Sequence, residues 1–197
     1  MPRPSQVDER RRKLLPVVAK AFAELGYRRA TTAALAERCD VHEAILYRLW
    51  DDKRAMFLAA IDFLYERRMS EFRKAMRSPR GKGHDMERVI EHVAEHIGKD
   101  GLYRIIFAGL AENDDPEIQS ALKRMYKNYE GVIEEYIADH RADSSRSGIP
   151  DDADSAWAMI GLVTVLNVLR QLNLQPLARR KEMFKELSRF LVSGRQE

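Results

Sequence analysis

Apolar residues recur along this chain at spacings of three and four, the pattern of helices that each bury one face. Leu14, Val18, Phe22 and Leu25 set the first such face, in a helix predicted from Asp8 to Leu25 and closed by Gly26. Two short segments follow, Ala33 to Cys39 and Glu43 to Trp50, separated by the break Asp40-Val41-His42. Phe57, Ile61, Leu64, Phe72 and Met76 then mark a long amphipathic helix from Lys53 to Met76, which ends before SPRGKGHD, Ser78 to Asp85. Met86, Val89, Ile90, Val93 and Ile97 form another face, bounded by Gly98 and Gly101, and Leu102 to Leu110 follows. After a break at Asn113 to Pro116, a helix runs from Glu117 to about His140 with Ile118, Leu122, Met125, Tyr129, Ile133 and Ile137 facing inward. The polar tract Asp143 to Asp152 separates it from the last pair, about Ala153 to Leu172 and Leu177 to Leu191. Thr31 or Thr32 caps the second helix and Asp51 or Asp52 the fourth; Asp115 caps the seventh, with Pro116 at its first position. The fold class is all-α, with about nine helices.

The two short helices and their tight turn lie in TTAALAERCDVHEAILYRLWDDK, Thr31 to Lys53. That spacing suits a helix-turn-helix, whose second helix can enter a DNA major groove, and equally any small αα-hairpin. Leu35, Val41, Ile45, Leu46 and Trp50 would fix the angle between the helices. The residue identities favour the first reading. Gly26-Tyr27, Thr31-Thr32, Leu35-Ala36, Val41, Leu46-Tyr47, Trp50 and Lys53 fall in register with the pattern of one family, so the segment resembles the DNA-binding domain of TetR-family transcriptional regulators. The resemblance covers the first 55 residues by motif and the rest only by length and helix order. It implies a three-helix DNA-binding head at 1–55 and a helical ligand-binding and dimerisation body at 56–197.

The chain departs from that pattern in the turn and at the start of the second short helix. Cys39-Asp40 stands where the family usually has Ala-Gly, His42 where it has Ser or Thr, and Glu43, Ala44 and Ile45 replace a polar-Gly-Thr sequence. His42 lacks a short side-chain oxygen for the free amides of the first turn. Glu43 suits the helix dipole but opposes phosphate; its carboxylate can instead accept a hydrogen bond from cytosine N4.

The resemblance implies DNA contacts from several places. Part of the basic run Arg10-Arg11-Arg12-Lys13 approaches phosphate, with Arg12 the candidate, unless the run is simply a solvated first turn. Whichever of Thr31 and Thr32 is not the cap is free for phosphate. His42, Glu43, Ala44, Tyr47 and Arg48 form the more exposed side of the reading helix, Tyr47 being a core aromatic in the alternative reading. Lys53 matches the family's phosphate-binding lysine, with Arg54 beside it.

Charge agrees with this placement. Residues 1–60 hold 12 Lys or Arg against 8 Asp or Glu, whereas 61–197 hold 22 against 23, so the basic surplus sits with the helix-turn-helix. One cysteine rules out an intramolecular disulfide and fits a reducing compartment. Met1 to Glu9 reads as unstructured and not as a leader, and the apolar run Ala156 to Leu169 as too short to span a bilayer. These features predict a cytoplasmic protein without a membrane partner.

The body carries no glycine-rich phosphate loop, paired cysteines or HExxH, so neither an enzyme nor a cofactor is predicted. His92 and His96, four apart, have metal-ligand spacing but no third ligand, and no metal site is predicted. The helix from Ala153 is apolar around most of its circumference and needs cover on several sides. By family resemblance, the last two helices pair with those of a second copy, the candidate interface being Trp157, Ile160, Gly161, Val165, Leu169, Phe184, Leu187 and Leu191. A symmetric dimer would present two heads about 34 to 36 Å apart to a palindromic operator. The family also implies a cavity for a small hydrophobic inducer, with Phe107, Tyr126, Tyr129, Trp157 and Asn167 as candidate contacts and plain core as the alternative. The function expected is a dimeric repressor on double-stranded DNA; the alternative is a dimeric interaction or scaffold protein whose head has lost DNA affinity.

Overall fold

A computed structural model describes residues 6–77, 86–98, 101–142 and 150–193. Within these lie nine helices and no strand: α1 Gln6–Leu25, α2 Thr32–Arg38, α3 Glu43–Leu49, α4 Lys53–Met76, α5 Met86–His96, α6 Leu102–Leu110, α7 Pro116–Arg141, α8 Asp152–Gln171 and α9 Leu177–Ser193. The break expected at Ser78 to Asp85, and most of the loop expected at Asp143 to Asp152, fall outside the described residues. One boundary is corrected: Gln6 to Glu9, read as unstructured, already form the first turn of α1, where Asp8 and Glu9 suit the positive end of the helix dipole. Pro16 stays within that helix on its exposed side.

Packing divides the chain into two compact units, Met1–Arg68 with Asp100–Met125, and Met69–Lys99 with Tyr126–Glu197. The chain passes from one unit to the other inside α4, between α5 and α6, and inside α7. This differs from a division by role at residue 55, because α6 packs on α1.

The first unit is built on Phe22, whose ring meets Phe57 edge-on at 5.0 Å, while Tyr27 lies 4.8 Å from Phe57. Val18, Leu35, Leu46, Trp50, Ile61, Leu102, Ile105 and Leu122 complete the core. Two glycines shape it. Gly26, at φ +76°, stops α1 in the left-handed region and donates its N–H to Phe22 O at 2.9 Å. A Cβ at Gly109 would come within 3.1 Å of Leu122 Cδ1 and 3.5 Å of Phe57, so the missing side chain permits this close approach.

In the second unit α9 packs on both α5 and α8. Phe184, Val192, Val89, Ile90, Met159 and Leu166 are sealed between these helices. Along the outer edge of the α5–α9 contact runs a ladder of ion pairs, Glu87 with Arg189, Glu91 with Lys185 and Glu95 with Lys181, in antiparallel order. Beyond it, Arg141 at the end of α7 is buried and uses all five of its N–H groups. It donates to Val192 O (2.9 Å), Leu191 O (2.6 Å), Pro150 O (3.0 Å), Asp152 Oδ1 (2.8 Å) and Ser155 Oγ (3.0 Å). One side chain thus joins the end of α7 to the start of α8 and the end of α9.

Candidate functional site

The turn between α2 and α3 is closed by backbone bonds from Cys39 N–H to Leu35 O and from Val41 N–H to Ala36 O, each 3.0 Å. Between them Asp40 takes φ +52°, a left-handed conformation that aspartate tolerates better than most residues. The turn therefore survives the replacement of the glycine usual in the resembling family. Of the two threonines, Thr31 is the cap, its Oγ1 accepting from Ala34 N–H at 3.1 Å. Thr32 instead shares a hydrogen bond with the Tyr47 hydroxyl at 3.1 Å. His42 caps α3 without a side-chain bond, as its shape predicts.

The short helix α3 is sharply two-faced. Leu46, Leu49 and the following Trp50 are buried, whereas Glu43, Ala44, Arg48 and Tyr47, the last 53% exposed, face solvent. At the start of α4, Asp52 is the cap, accepting from Ala55 N–H at 2.7 Å. Lys53 Nζ donates to Tyr27 O at 3.2 Å and lies 4.3 Å from the centre of that ring. An ammonium has three N–H groups, so two remain for an incoming phosphate.

The cations of the head fall into two sets. Arg38 is held by Glu24 at 2.6 Å and Arg28 by Glu112 at 2.7 Å. Arg54, expected to help Lys53, is instead engaged with Glu117 at 3.0 Å and Asp115 at 3.5 Å. Arg12 and Arg48 are exposed and have no ion-pair partner among the described residues. With Arg10 and Lys13, likewise exposed and without an ion pair among those residues, and with the remaining N–H groups of Lys53, they are the cations open to phosphate.

Arg11 is a residue that sequence reading missed. Its Nε donates to Leu49 O at 3.0 Å, its Nη2 donates to the same oxygen, and the guanidinium lies 5.9 Å from the Trp50 ring centre. Leu49 ends α3, so its carbonyl belongs to the unsatisfied, partially negative end of that helix. The signal was present: Arg11 stands four, seven and eleven residues before Leu15, Val18 and Phe22, in register with the apolar face of α1, although the residue itself stays exposed. Arg11→Gln is expected to lower duplex affinity roughly tenfold while leaving the slope of log affinity against log salt unchanged. Arg12→Gln should flatten that slope by about 0.9, one phosphate contact. A flattened slope in Arg11→Gln would place it on the DNA instead.

The ligand and interface candidates separate. Phe107 belongs to the first unit, and Tyr126, Tyr129, Trp157 and Asn167 to the second. Tyr126 stacks on Trp157 at 6.3 Å, and burial pushes its hydroxyl pKa above the ordinary range. Trp157 is 38% exposed, and its Nε1 donates to Glu130 at 2.6 Å. Glu130 also accepts from Lys127, and that bond holds its carboxyl below the usual range. Phe184, expected at the subunit interface, is corrected to core: it is fully buried within its own protomer. Ile160 is also buried and Leu169 and Leu191 half-buried, whereas Gly161, Val165 and Leu187 are exposed. Trp157, Gly161, Val165, Val168 and Leu172 recur at four, four, three and four residues, one exposed stripe along α8, with Leu187 and Phe190 exposed on α9. Val168, Leu172 and Phe190 were not foreseen. By length and composition the 20-residue α8 could cross a bilayer, contrary to the estimate from Ala156 to Leu169 alone, but the same stripe is what a covered helix of a bundle shows. His92 and His96 stack at 4.1 Å, with no group of three or more potential metal ligands among the described residues.

A family profile described as bacterial regulatory proteins, tetR family, matches residues 15–60. The HTH-type transcriptional activator FasR of Mycolicibacterium smegmatis is 28% identical over 120 residues, 59% of this chain and 53% of that protein. The nucleoid occlusion factor SlmA of Pasteurella multocida is 27% identical over 124 residues, 62% of each chain. The chain thus spans less than two thirds of either relative. Among solved structures, a TetR-family transcriptional regulator from Cytophaga hutchinsonii superposes with a TM-score of 0.81 at 14% identity, covering 99% of this chain and 100% of that one.

Proposed function

We propose that this chain, whose residues 15–60 match the tetR family of bacterial regulatory proteins, is a homodimeric transcriptional repressor, bound to a palindromic operator and released by a small ligand with an apolar body. The two-faced α3 carries the reading: Leu46, Leu49 and Trp50 anchor it, while Glu43, Ala44, Tyr47 and Arg48 stand in solvent beside cations without acid partners. Such a helix suits major-groove readout, with Lys53 and Arg12 toward phosphate, Thr32 holding the Tyr47 hydroxyl, and His42 and Glu43 at its leading end. The exposed stripe on α8, with Leu187 and Phe190 on α9, supports pairing of two copies, which in turn sets two heads one helical turn of DNA apart. The ligand-binding reading draws on Tyr126, Tyr129, Trp157 and Asn167 of the second unit. A ligand weakens DNA binding only as far as it prefers the geometry that cannot bind DNA. The protein works where the chromosome is, in the cytoplasm, and no catalytic role is proposed.

Selection of bound duplexes from a random pool at two salt concentrations tests this. A recovered palindrome is the expected outcome. Equal, weak binding to every duplex would instead favour a dimeric scaffold with a degenerate head, for which the missing cap at His42 is the motivating observation. On the recovered operator, Glu43→Ala should change the preference at one base pair by about 1–3 kcal/mol if its carboxylate reads cytosine. A uniform gain on all sequences would mark Glu43 as a general electrostatic brake.

A further inference from the structure

Helix α9 carries five cations, and their pairing runs opposite to their exposure. Arg179 has Glu182, Lys181 has Glu95, Lys185 has Glu91 and Arg189 has Glu87, all at least partly open to water. Arg180 is only 7% exposed and has no ion pair or side-chain hydrogen bond among the described residues. Its Nε is sealed without an acceptor, although its terminal nitrogens are not. A guanidinium keeps its charge at every accessible pH, so it cannot escape the cost of burial by losing a proton. Helix α8, on which α9 packs, shows a second unmet group. Asn167 on α8 is fully buried; its Nδ2 donates to Val163 O at 2.8 Å, but its Oδ1 receives nothing. Asn167 and Arg180 stand four and three residues from the helix ends that the α8–α9 turn joins. Around them the buried neighbours in sequence, Leu166 and Phe184, are apolar.

We propose that Arg180 anchors the acidic group of a small molecule, a carboxylate or phosphate monoester carried on an apolar body. The planar fork of the guanidinium matches either anion through two parallel N–H bonds, and Asn167 Oδ1 offers an acceptor to a hydroxyl or amide nearby. The inference rests on the ligand-responsive reading above and narrows its ligand from a hydrophobic molecule to an amphiphilic acid.

The test compares thermal unfolding of the full-length dimer with octanoate, octyl phosphate and 1-octanol, in wild type and in Arg180→Met. Without additive, Arg180→Met should unfold at the same or a higher temperature, because an unpaired buried charge has been removed. Octanoate or octyl phosphate should raise the wild-type midpoint well beyond 1-octanol, the more effective of the two identifying the acid. The apparent affinity for that acid should fall on the order of 10- to 100-fold in Arg180→Met. If Arg180→Met does not fold, Arg180→Lys is read instead and should bind the acid several-fold more weakly, since the fork is lost. No shift with either acid, an equal shift with octanol, or full affinity in the variant that folds would overturn the proposal. Operator binding measured with and without octanoate separates the two readings. Acid binding through Arg180 without loss of operator affinity would leave the site standing and remove ligand-driven release.

Discussion

Replacing Arg141 by alanine should lower the unfolding free energy by about 3–5 kcal/mol, the range for breaking a buried, fully hydrogen-bonded charge network. The side chain is 1% exposed and satisfies five acceptors, two of them the carbonyls of Leu191 and Val192 near the end of α9. Alanine would leave those carbonyls, Pro150 O and Ser155 Oγ competing for whatever water enters, and the Asp152 carboxylate without its cation. Lysine should recover only part of the loss, because three N–H groups from one point cannot serve acceptors spread around a plane. Urea unfolding followed by circular dichroism measures both variants. A loss below about 1 kcal/mol in Arg141→Ala would show that solvent already satisfies these groups.

Tyr47→Ala should weaken operator binding by about 10- to 100-fold with little change in stability, because more than half of this residue is exposed. The hydroxyl is held by Thr32, so the ring is oriented before DNA arrives and less side-chain entropy is lost on binding. Tyr47→Phe divides the effect: a ring acting on a thymine methyl keeps its share, whereas a hydroxyl acting on phosphate does not. Thr32→Val, which frees the hydroxyl without removing it, should fall between wild type and Tyr47→Phe. Fluorescence anisotropy on the selected duplex reads all three, and unchanged affinity in Tyr47→Ala would remove this residue from the interface. Lys53→Ala is a poorer probe, since it also breaks the contact with Tyr27 that ties α4 to the turn after α1.

The helices were legible from apolar spacing, and the caps at Thr31, Asp52 and Asp115 from short side-chain oxygens beside them. These are local properties, set within a turn or two of each residue. What stayed hidden depends on distant partners. The spacing of Arg11 from Leu15, Val18 and Phe22 puts it in register with the apolar face of α1, but it does not name what the guanidinium meets, because the acceptor lies 38 residues away. The apolar face of α6 was evident, yet its packing on α1 was not, since an apolar face does not name its partner. Phe184 and Phe190 lie six apart on one helix and therefore about 120° apart around it; with apolar residues in both directions on α9, the sequence could not say which ring its own core would take.

The α5–α9 ladder repeats every four residues on both helices, and its pitch is therefore nearly one helical turn. Sliding α9 by one turn would set Glu91 opposite Arg189 and Glu95 opposite Lys185, remaking two rungs and losing one. Arg189 already reaches Glu91 at 3.4 Å. Charges spaced in this way work like the teeth of a rack: they resist separation and sideways drift but cannot tell one notch from the next. The choice of notch falls to Phe184 in its socket and to the Arg141 clasp on the last carbonyls of α9, contacts that have no equivalent one turn away.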